Sequence, residues 1–173
     1  ALLIAPRWFQ NPAGVGHFEP GVGDLIPLWD SVWYERIAND GYPVPLPVDP
    51  ETGRVTYSAW AFYPLFPGLV RPFMALGLPF TAVASTINLL LGGAGAVAIW
   101  AVLRSGVHAD AQAQRDRLAL VAACLWCFYP ATSVLLKPYT EGLAILLIAL
   151  ALLLLVHRRY AGVAVVALLL GFT

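Results

Sequence analysis

The sequence predicts an all-α membrane protein: a polytopic bundle of transmembrane helices with a long external loop that contains short helices. Sixty per cent of the 173 residues are hydrophobic and only 12 % are charged, whereas soluble domains carry roughly 25 % charged residues. The apolar residues are concentrated in uncharged runs long enough to cross a bilayer, which takes roughly 20 helical residues. The alternation that predicts a membrane barrel is absent from the sequence. The zero net charge gives no electrostatic support for a nucleic-acid partner.

The chain is expected to begin inside a membrane helix and to continue into a polar loop. Residues 1–5 predict the end of a truncated transmembrane helix, because this run starts without Met and is apolar. Residues 6–64 predict the first external loop, since they hold seven of the ten acidic residues and are rich in Pro, Gly and Trp. No part of this loop is long and apolar enough to span a membrane.

Two local patterns organise this loop. The run Leu28–Asn39 lacks Pro and Gly and predicts a short helix, which Asn39-Asp40-Gly41 is expected to end. The proline-rich run 43–50 cannot be helical, because proline removes amide donors and restricts the residue before it. Asp49–Gly53 then predicts a turn.

Residues 65–173 predict an interfacial helix followed by about four transmembrane helices, the last of them truncated. Three prolines interrupt the apolar run Ala61–Leu78, so a short interfacial helix or two is expected there. The other predicted elements are spans at Thr81–Leu103 and Leu118–Leu136, a run from Gly142 to Val156, a final helix from about Tyr160, and polar links at Arg104–Arg117 and Lys137–Glu141.

Arginine residues in the short loops predict the orientation. Positively charged loops tend to be cytoplasmic, and two loops carry the arginines in question: Arg104, Arg115 and Arg117 in one, Arg158 and Arg159 in the other. Both loops lie on one side if each apolar run crosses once. The first loop and the Lys137–Glu141 link are then both external, which would put Asp30 and Glu141 at the same face of a multi-pass plasma-membrane protein.

The densest candidate cluster lies within Leu28–Ala38. At helical spacing Asp30, Trp33 and Tyr34 share a face. A carboxylate can act as a general base on a sugar hydroxyl, and aromatic rings can stack on the apolar faces of pyranoses. Alternatively, Trp29 and its neighbours form an interfacial aromatic belt in which Asp30 is a helix N-cap.

A second cluster, Tyr57–Pro67, is rich in aromatic residues. Its rings are suited to line a groove for a lipid chain. They are equally suited to anchor a helix at the level of the lipid headgroups.

The third cluster is the link Lys137–Glu141. Ionisable residues near hydrocarbon tend to face a cavity or a partner. Lys137 is suited to meet a lipid phosphate, and Glu141 to accept a hydrogen bond from a hydroxyl or to pair with Arg36 or Lys137. The alternative is a simple Lys137–Glu141 ion pair at the interface.

Three strings of residues occur in a distinctive order. They are Trp29-Asp30-Ser31 with Ile37-Ala38-Asn39-Asp40-Gly41-Tyr42, then Ala61-Phe62-Tyr63-Pro64-Leu65-Phe66-Pro67, and then Tyr139-Thr140-Glu141. In these strings the chain resembles the GPI mannosyltransferase II family, and most closely its actinobacterial-type bacterial relatives. That family belongs to the glycosyltransferase C superfamily of multi-span enzymes, which use lipid-phosphate-linked sugars.

The resemblance implies a membrane glycosyltransferase. It would transfer a hexose, expected to be mannose, from a polyprenyl-phosphate-linked donor to an acceptor at the external face of a bacterial plasma membrane. Asp30 matches the acidic residue of the first external loop, which implies that it is the catalytic base. Tyr63 and Phe66 match a segment near the donor lipid. Together with the clusters, this gives the following substrate-binding candidates: Trp29, Trp33, Tyr34, Arg36, Tyr63, Phe66, Lys137, Tyr139 and Glu141.

The expected partners are the polyprenyl-phosphate sugar, membrane lipid and an acceptor that the sequence does not identify. A polyprenyl phosphate is already a good leaving group, so no nucleotide or other cofactor is expected. The carboxylates match no known oxygen-ligand loop for a metal. The chain departs from the family in having fewer spans and in the insertion Pro43–Arg54.

Two other functions fit the composition. A transporter or lipid flippase would need polar or broken helices at mid-membrane. A non-catalytic membrane subunit would use the acidic external loop to bind a partner, and Asp30 would then be replaceable.

Overall fold

The computed structural model describes residues 29–106 and 112–173, and this part of the chain is helical. The predictions for residues 1–28 therefore lie outside the described residues. The α-helices are α1 (Asp30–Asp40), α2 (Leu65–Met74), α3 (Phe80–Gly106), α4 (Gln112–Phe128), α5 (Glu141–Val156) and α6 (Tyr160–Leu170), with 3-10 helices at Ala59–Ala61 and Pro130–Leu136. Within the described ranges the one β contact is an isolated antiparallel bridge between Val48 and Val55.

Helix α1 confirms the helix predicted for the first loop. It ends where Gly41 takes a φ of 77° and donates its N–H to the carbonyl of Ile37 at 3.0 Å, a termination that glycine adopts without a steric penalty. The proposed N-cap role of Asp30 is wrong, because Trp29 occupies that position and makes no side-chain cap. Asp30 is instead the first helical residue, where its negative charge complements the helix dipole.

The proline-rich segment after α1, residues 43–58, folds into a turn that its own hydrogen bonds hold together. The predicted turn is confirmed: Oδ1 of Asp49 accepts hydrogen bonds from the amides of Glu51 at 2.9 Å and Thr52 at 2.7 Å. Gly53 completes the turn with a φ of 67°. This brings the chain back towards α1 before α2 begins.

Helix α2 is a single helix in the region where one or two were expected. It begins after Pro64 and contains Pro67 and Pro72. Proline is tolerated in the first turn, where no intrahelical partner exists for its missing amide. The helix ends at Met74, and Gly77 then turns the chain with a φ of 85°.

Helix α3 contains the predicted span Thr81–Leu103 and, with 27 residues, is long and apolar enough to cross a membrane. The next predicted span, Leu118–Leu136, falls on a bent pair of helices that together pass the length and composition test, as a broken span or a re-entrant loop. Helix α4 stops at Phe128, and the 3-10 helix Pro130–Leu136 continues at an angle of 68°. Proline at 130 lacks the amide that would continue the helical hydrogen bonding.

The predicted polar loop Arg104–Arg117 is also shorter than expected, because α3 continues to Gly106 and α4 begins at Gln112. Helices α5 and α6 have 16 and 11 residues, which is less than the roughly 20 needed for a full crossing. Among the described residues, one helix, or two if the bent pair forms a single span, passes the length and composition test for crossing a membrane.

Helices α3 and α5 pack side by side and run in the same direction. A methyl group placed on Gly95 would lie 3.2 Å from Cγ2 of Ile145, and one placed on Gly106 would lie 3.5 Å from Cγ2 of Val156. Small residues allow this close approach. The ends of α3 and α5 near Arg104 and Arg158 therefore lie together, and the start of α5 lies at the opposite end.

The core joins the start of α5 to the helices of the first loop. Its buried members are Tyr34, Ala38, Phe66, Val70, Phe80, Val83, Ala84, Leu143 and Leu147. The amide of Leu65 also donates a hydrogen bond to the carbonyl of Phe172 at 3.0 Å, which ties α2 to the segment after α6. This packing holds the N-terminus of α1 beside the N-terminus of α5.

Candidate functional site

The candidate site is formed where α1 and α5 begin, and each helix contributes one acidic residue. Asp30 opens α1 and is exposed, while Glu141 opens α5 and is partly buried. Both carboxylates lie close enough to Tyr34 to raise the pKa of its phenol, although burial of the ring is the larger cause of that rise. The side chain of Thr140, the residue before Glu141, lies close enough to the Tyr34 phenol to oppose this rise in its pKa.

Tyr139 connects the two acidic residues. Its side chain is 9 % exposed and lies close enough to the backbone of Asp30 for that backbone to lower the pKa of the phenol slightly. Burial raises the pKa of Tyr139 to about 12, and the charges of Asp30 and Glu141 contribute to the rise. The phenol is therefore neutral at physiological pH and keeps its proton as a hydrogen-bond donor.

Lys137 adds a positive charge at the edge of the same site. Its Nζ lies 4.1 Å from the ring centroid of Trp29 and 5.5 Å from that of Tyr139, within the range of cation–π attraction. Burial lowers the pKa of the Lys137 ammonium, and Glu141 opposes that effect. Trp29 reaches this position through a φ of 58°, which a non-glycine residue adopts only at some cost in strain.

Glu141 forms neither of the ion pairs that were considered for it. In residues 29–106 and 112–173 the one ion pair is Arg104–Asp116, at 2.7 Å. Arg36 lies 4.9 Å above the ring of Trp33 instead. The simple Lys137–Glu141 pair is therefore wrong, because the ammonium is drawn over the aromatic rings and acts on Glu141 only through space.

One carboxylate oxygen of Glu141 has no partner within the described part of the chain. This atom, Oε2, is buried, yet no hydrogen-bond donor there reaches it. Leaving a buried acceptor unpaired is costly, and such atoms often mark functional positions. A hydroxyl group of a bound molecule would satisfy it.

Asn88 of α3 fixes the segment that carries Lys137 and Glu141. Its Oδ1 accepts a hydrogen bond from the amide of Gly142 at 2.7 Å. Its Nδ2 donates to the carbonyl of Lys137 at 2.9 Å and more weakly to that of Val134 at 3.4 Å. The first amides of a helix have no partner within the helix, and Thr140 makes no side-chain cap for α5. Asn88 thus caps α5 from a neighbouring helix.

The role of Asn88 did not emerge from the sequence, although a signal was present. Asn88 is the one strongly polar side chain of the predicted span Thr81–Leu103, and polar groups within an apolar span usually have a specific partner. This contact also requires glycine at position 142, because any side chain there would overlap Asn88. The sequence did not show that the partners of Asn88 are the backbone groups of Gly142 and Lys137.

The aromatic candidates are divided between the site, the core and the surface. Tyr34 is 8 % exposed and meets Phe62 and Phe66 edge-on, with centroids 5.4 and 5.8 Å away. Phe66 is fully buried, so it supports Tyr34 by packing and offers no surface to a substrate. This corrects its predicted role as a contact for the donor lipid. Tyr63 is 54 % exposed, and in the described structure it makes no ring or hydrogen-bond contact with the acidic site.

Trp33 contacts Phe62 as Tyr34 does, but it also lies at the edge of a separate groove. Its ring stacks on that of Phe62, with centroids 5.8 Å apart and planes 15° apart. It also lines a groove of about 780 Å³ that is formed mainly by residues between 46 and 62. The lining of this groove does not include Asp30, Tyr139 or Glu141.

Comparison with known proteins adds no assignment to this site. No family model, no curated protein and no solved structure matches the chain. Among the described residues, no three His, Cys, Asp or Glu side chains lie close enough together to hold a metal ion.

Proposed function

We propose that this chain is part of a multi-pass membrane glycosyltransferase. It transfers a hexose, with mannose as the first candidate, from a polyprenyl-phosphate-linked donor to an acceptor at the external face of a bacterial plasma membrane. The observation that supports the proposal most is that Asp30 of the first loop lies beside Lys137, Tyr139 and Glu141, which form one short segment far away in the sequence. Their end of the α3–α5 pair is the one away from Arg104 and Arg158, as an external site requires.

Asp30 acts as the general base in this proposal. The acceptor hydroxyl oxygen forms a bond to the anomeric carbon while the bond from that carbon to the phosphate oxygen breaks. The hydroxyl proton passes to the Asp30 carboxylate, and the bonding electron pair leaves with the polyprenyl phosphate. The exposure of Asp30 at the start of α1 leaves its carboxylate accessible to an acceptor.

Lys137 and Tyr139 stabilise the polyprenyl phosphate as it leaves. Negative charge builds up on the phosphate as its bond to the sugar breaks, and a fixed cation and a neutral phenol can both stabilise it. Lys137 is partly buried, where a charge interacts more strongly than in water. The aromatic rings of Trp29 and Tyr139 hold the ammonium without neutralising it.

Glu141 positions the sugar in this scheme. Its unpaired Oε2 accepts a hydrogen bond from a hydroxyl of the donor. Its negative charge also favours the positive charge that develops on the sugar ring in the transition state.

The bent helix pair favours a transporter or lipid flippase as a second candidate. Discontinuous helices are common at the substrate sites of transporters, and the chain bends by 68° between Phe128 and Pro130. The bend lies where α4 meets the 3-10 helix that leads to Lys137, so it also has a structural role in delivering that residue.

The test is a transfer assay on membranes that contain the full-length protein, with radiolabelled polyprenyl-phosphate mannose and native acceptors. Asp30→Asn keeps the size of the side chain and removes its basicity, so transfer should fall by roughly 100-fold or more. Asp40→Asn is the matched control, since Asp40 is an exposed carboxylate at the other end of α1, and it should transfer at the wild-type rate.

Two results would contradict the proposal in different ways. Full turnover by Asp30→Asn would mean that Asp30 is not the base. No transfer by folded wild-type protein, together with movement of labelled lipid across reconstituted vesicles, would favour the flippase.

A further inference from the structure

We propose that the groove beside α1 is a binding site for a neutral glycan, and that it holds the acceptor of the transfer reaction. The role of the groove as an acceptor site rests on the proposed function, whereas its binding of a sugar can be measured independently. The groove is lined by Trp33, Tyr57 and Trp60 together with polar residues that include Asp49, Thr52 and Arg54. Most of these residues belong to or adjoin the insertion Pro43–Arg54.

Trp60 provides a fixed flat surface in this groove. Its indole Nε1 donates a hydrogen bond to the carbonyl of Pro43 at 2.9 Å, and its ring centroid lies 4.6 Å from that of Tyr42. Tyr42 is itself held, since its hydroxyl donates to the carbonyl of Phe62 at 2.8 Å. Even so, Trp60 remains 54 % exposed. A ring that is held in place and still open is suited to stack against a pyranose.

Polar groups surround this ring in a way that suits sugar hydroxyls. Hydrogen bonds from the backbone and side chain of Thr52 lower the pKa of the Asp49 carboxyl, with a further contribution from the amide of Glu51. Asp49 is thus a charged acceptor at neutral pH, while Arg54 supplies donors. The two charges have opposite signs, so the groove favours a neutral polyol over an anionic headgroup.

The groove has the size and position of an acceptor site. Its volume of about 780 Å³ lies within the usual range of roughly 300–1,000 Å³ for ligand sites. Trp33 lines the groove and lies three residues after Asp30, a spacing that makes side chains neighbours on a helix. A glycan held on Trp60 could therefore extend over α1 to present a hydroxyl to Asp30.

The test measures binding of an α-linked mannotriose to the full-length protein in nanodiscs, by calorimetry and without any donor lipid. Saturable binding is expected for the wild type. Trp60→Ala should weaken it by about three- to tenfold, the usual range for loss of an aromatic contact. Tyr160→Ala is the control, because Tyr160 is 65 % exposed and lies at the arginine-rich end of the bundle.

The outcomes separate this inference from the proposed enzyme activity. If mannotriose binding depends on Trp60 but the protein shows no transfer activity, the glycan site is supported and the proposed transferase is contradicted. Transfer whose KM for the acceptor is unchanged in Trp60→Ala would keep the transferase and reject the groove as its acceptor site. Absence of binding to wild type, with Trp60 fluorescence quenched by brominated lipids, would show that Trp60 is a membrane anchor and overturn the inference.

Discussion

Replacement of Asn88 by leucine tests whether one buried amide holds the candidate site together. The side chain joins α3 to the start of α5 through two short hydrogen bonds, to Gly142 at 2.7 Å and to Lys137 at 2.9 Å. The third, to Val134 at 3.4 Å, is too long to contribute much. Leucine fills a similar volume but leaves both short bonds unmade.

The expected cost follows from the burial of the two partners. Gly142 is buried, so its amide would lose its acceptor without access to water, at a cost of about 1–3 kcal/mol. Lys137 is only partly buried, so water can reach its carbonyl and the loss there is about 0.5–1.5 kcal/mol. The free energy of unfolding should therefore fall by about 1.5–4.5 kcal/mol.

The assay is reversible unfolding of the purified protein in mixed micelles with increasing sodium dodecyl sulfate. Ser85→Ala is the matched control, because Ser85 lies on the same helix and its buried Oγ has no hydrogen-bond partner in the described residues. Its removal should leave the free energy of unfolding unchanged or slightly higher. If Asn88→Leu unfolds within about 0.5 kcal/mol of the wild type, the cap on α5 does not hold the site and the reasoning fails.

Two further predictions concern Tyr139 and the end of α1. Because the pKa of Tyr139 is raised from 10 to about 12, its contribution to stability is fully present below pH 10 and is lost as the pH rises towards 12. Absorbance titration of the phenolates should lose one late-titrating group in Tyr139→Phe, and an identical titration in both proteins would contradict the assignment. At the end of α1, Gly41 has a φ of 77° and a ψ of −157° with open space around it, so Gly41→Ala should cost about 1–3 kcal/mol of unfolding free energy through backbone strain alone. Gly68 in α2 has equally open space and no positive φ, so Gly68→Ala should stabilise by about 0.5–1 kcal/mol, and thermal melts that rank the two variants the other way would refute this.

The local features of the chain could be predicted because local residues cause them. Gly41 ends α1 and Asp49 forms its turn through contacts within a few residues. The long apolar helix α3 follows from its composition in the same way. The break after Phe128 was missed, although Pro130 was visible, because a proline within a predicted membrane helix does not by itself say whether the helix kinks or ends.

The site depends on contacts that no local pattern contains. Charge distribution predicted that Asp30 and Glu141 share a face, but only the core that α1, α2, α3 and α5 share brings them to one site. The same packing moved Phe66 into the core and drew Lys137 over aromatic rings instead of into an ion pair. The sequence by itself determined which residues carry charge and which runs are apolar. Tertiary structure decided the partners, because Asn88 and Gly142 meet only when two parallel helices pack closely.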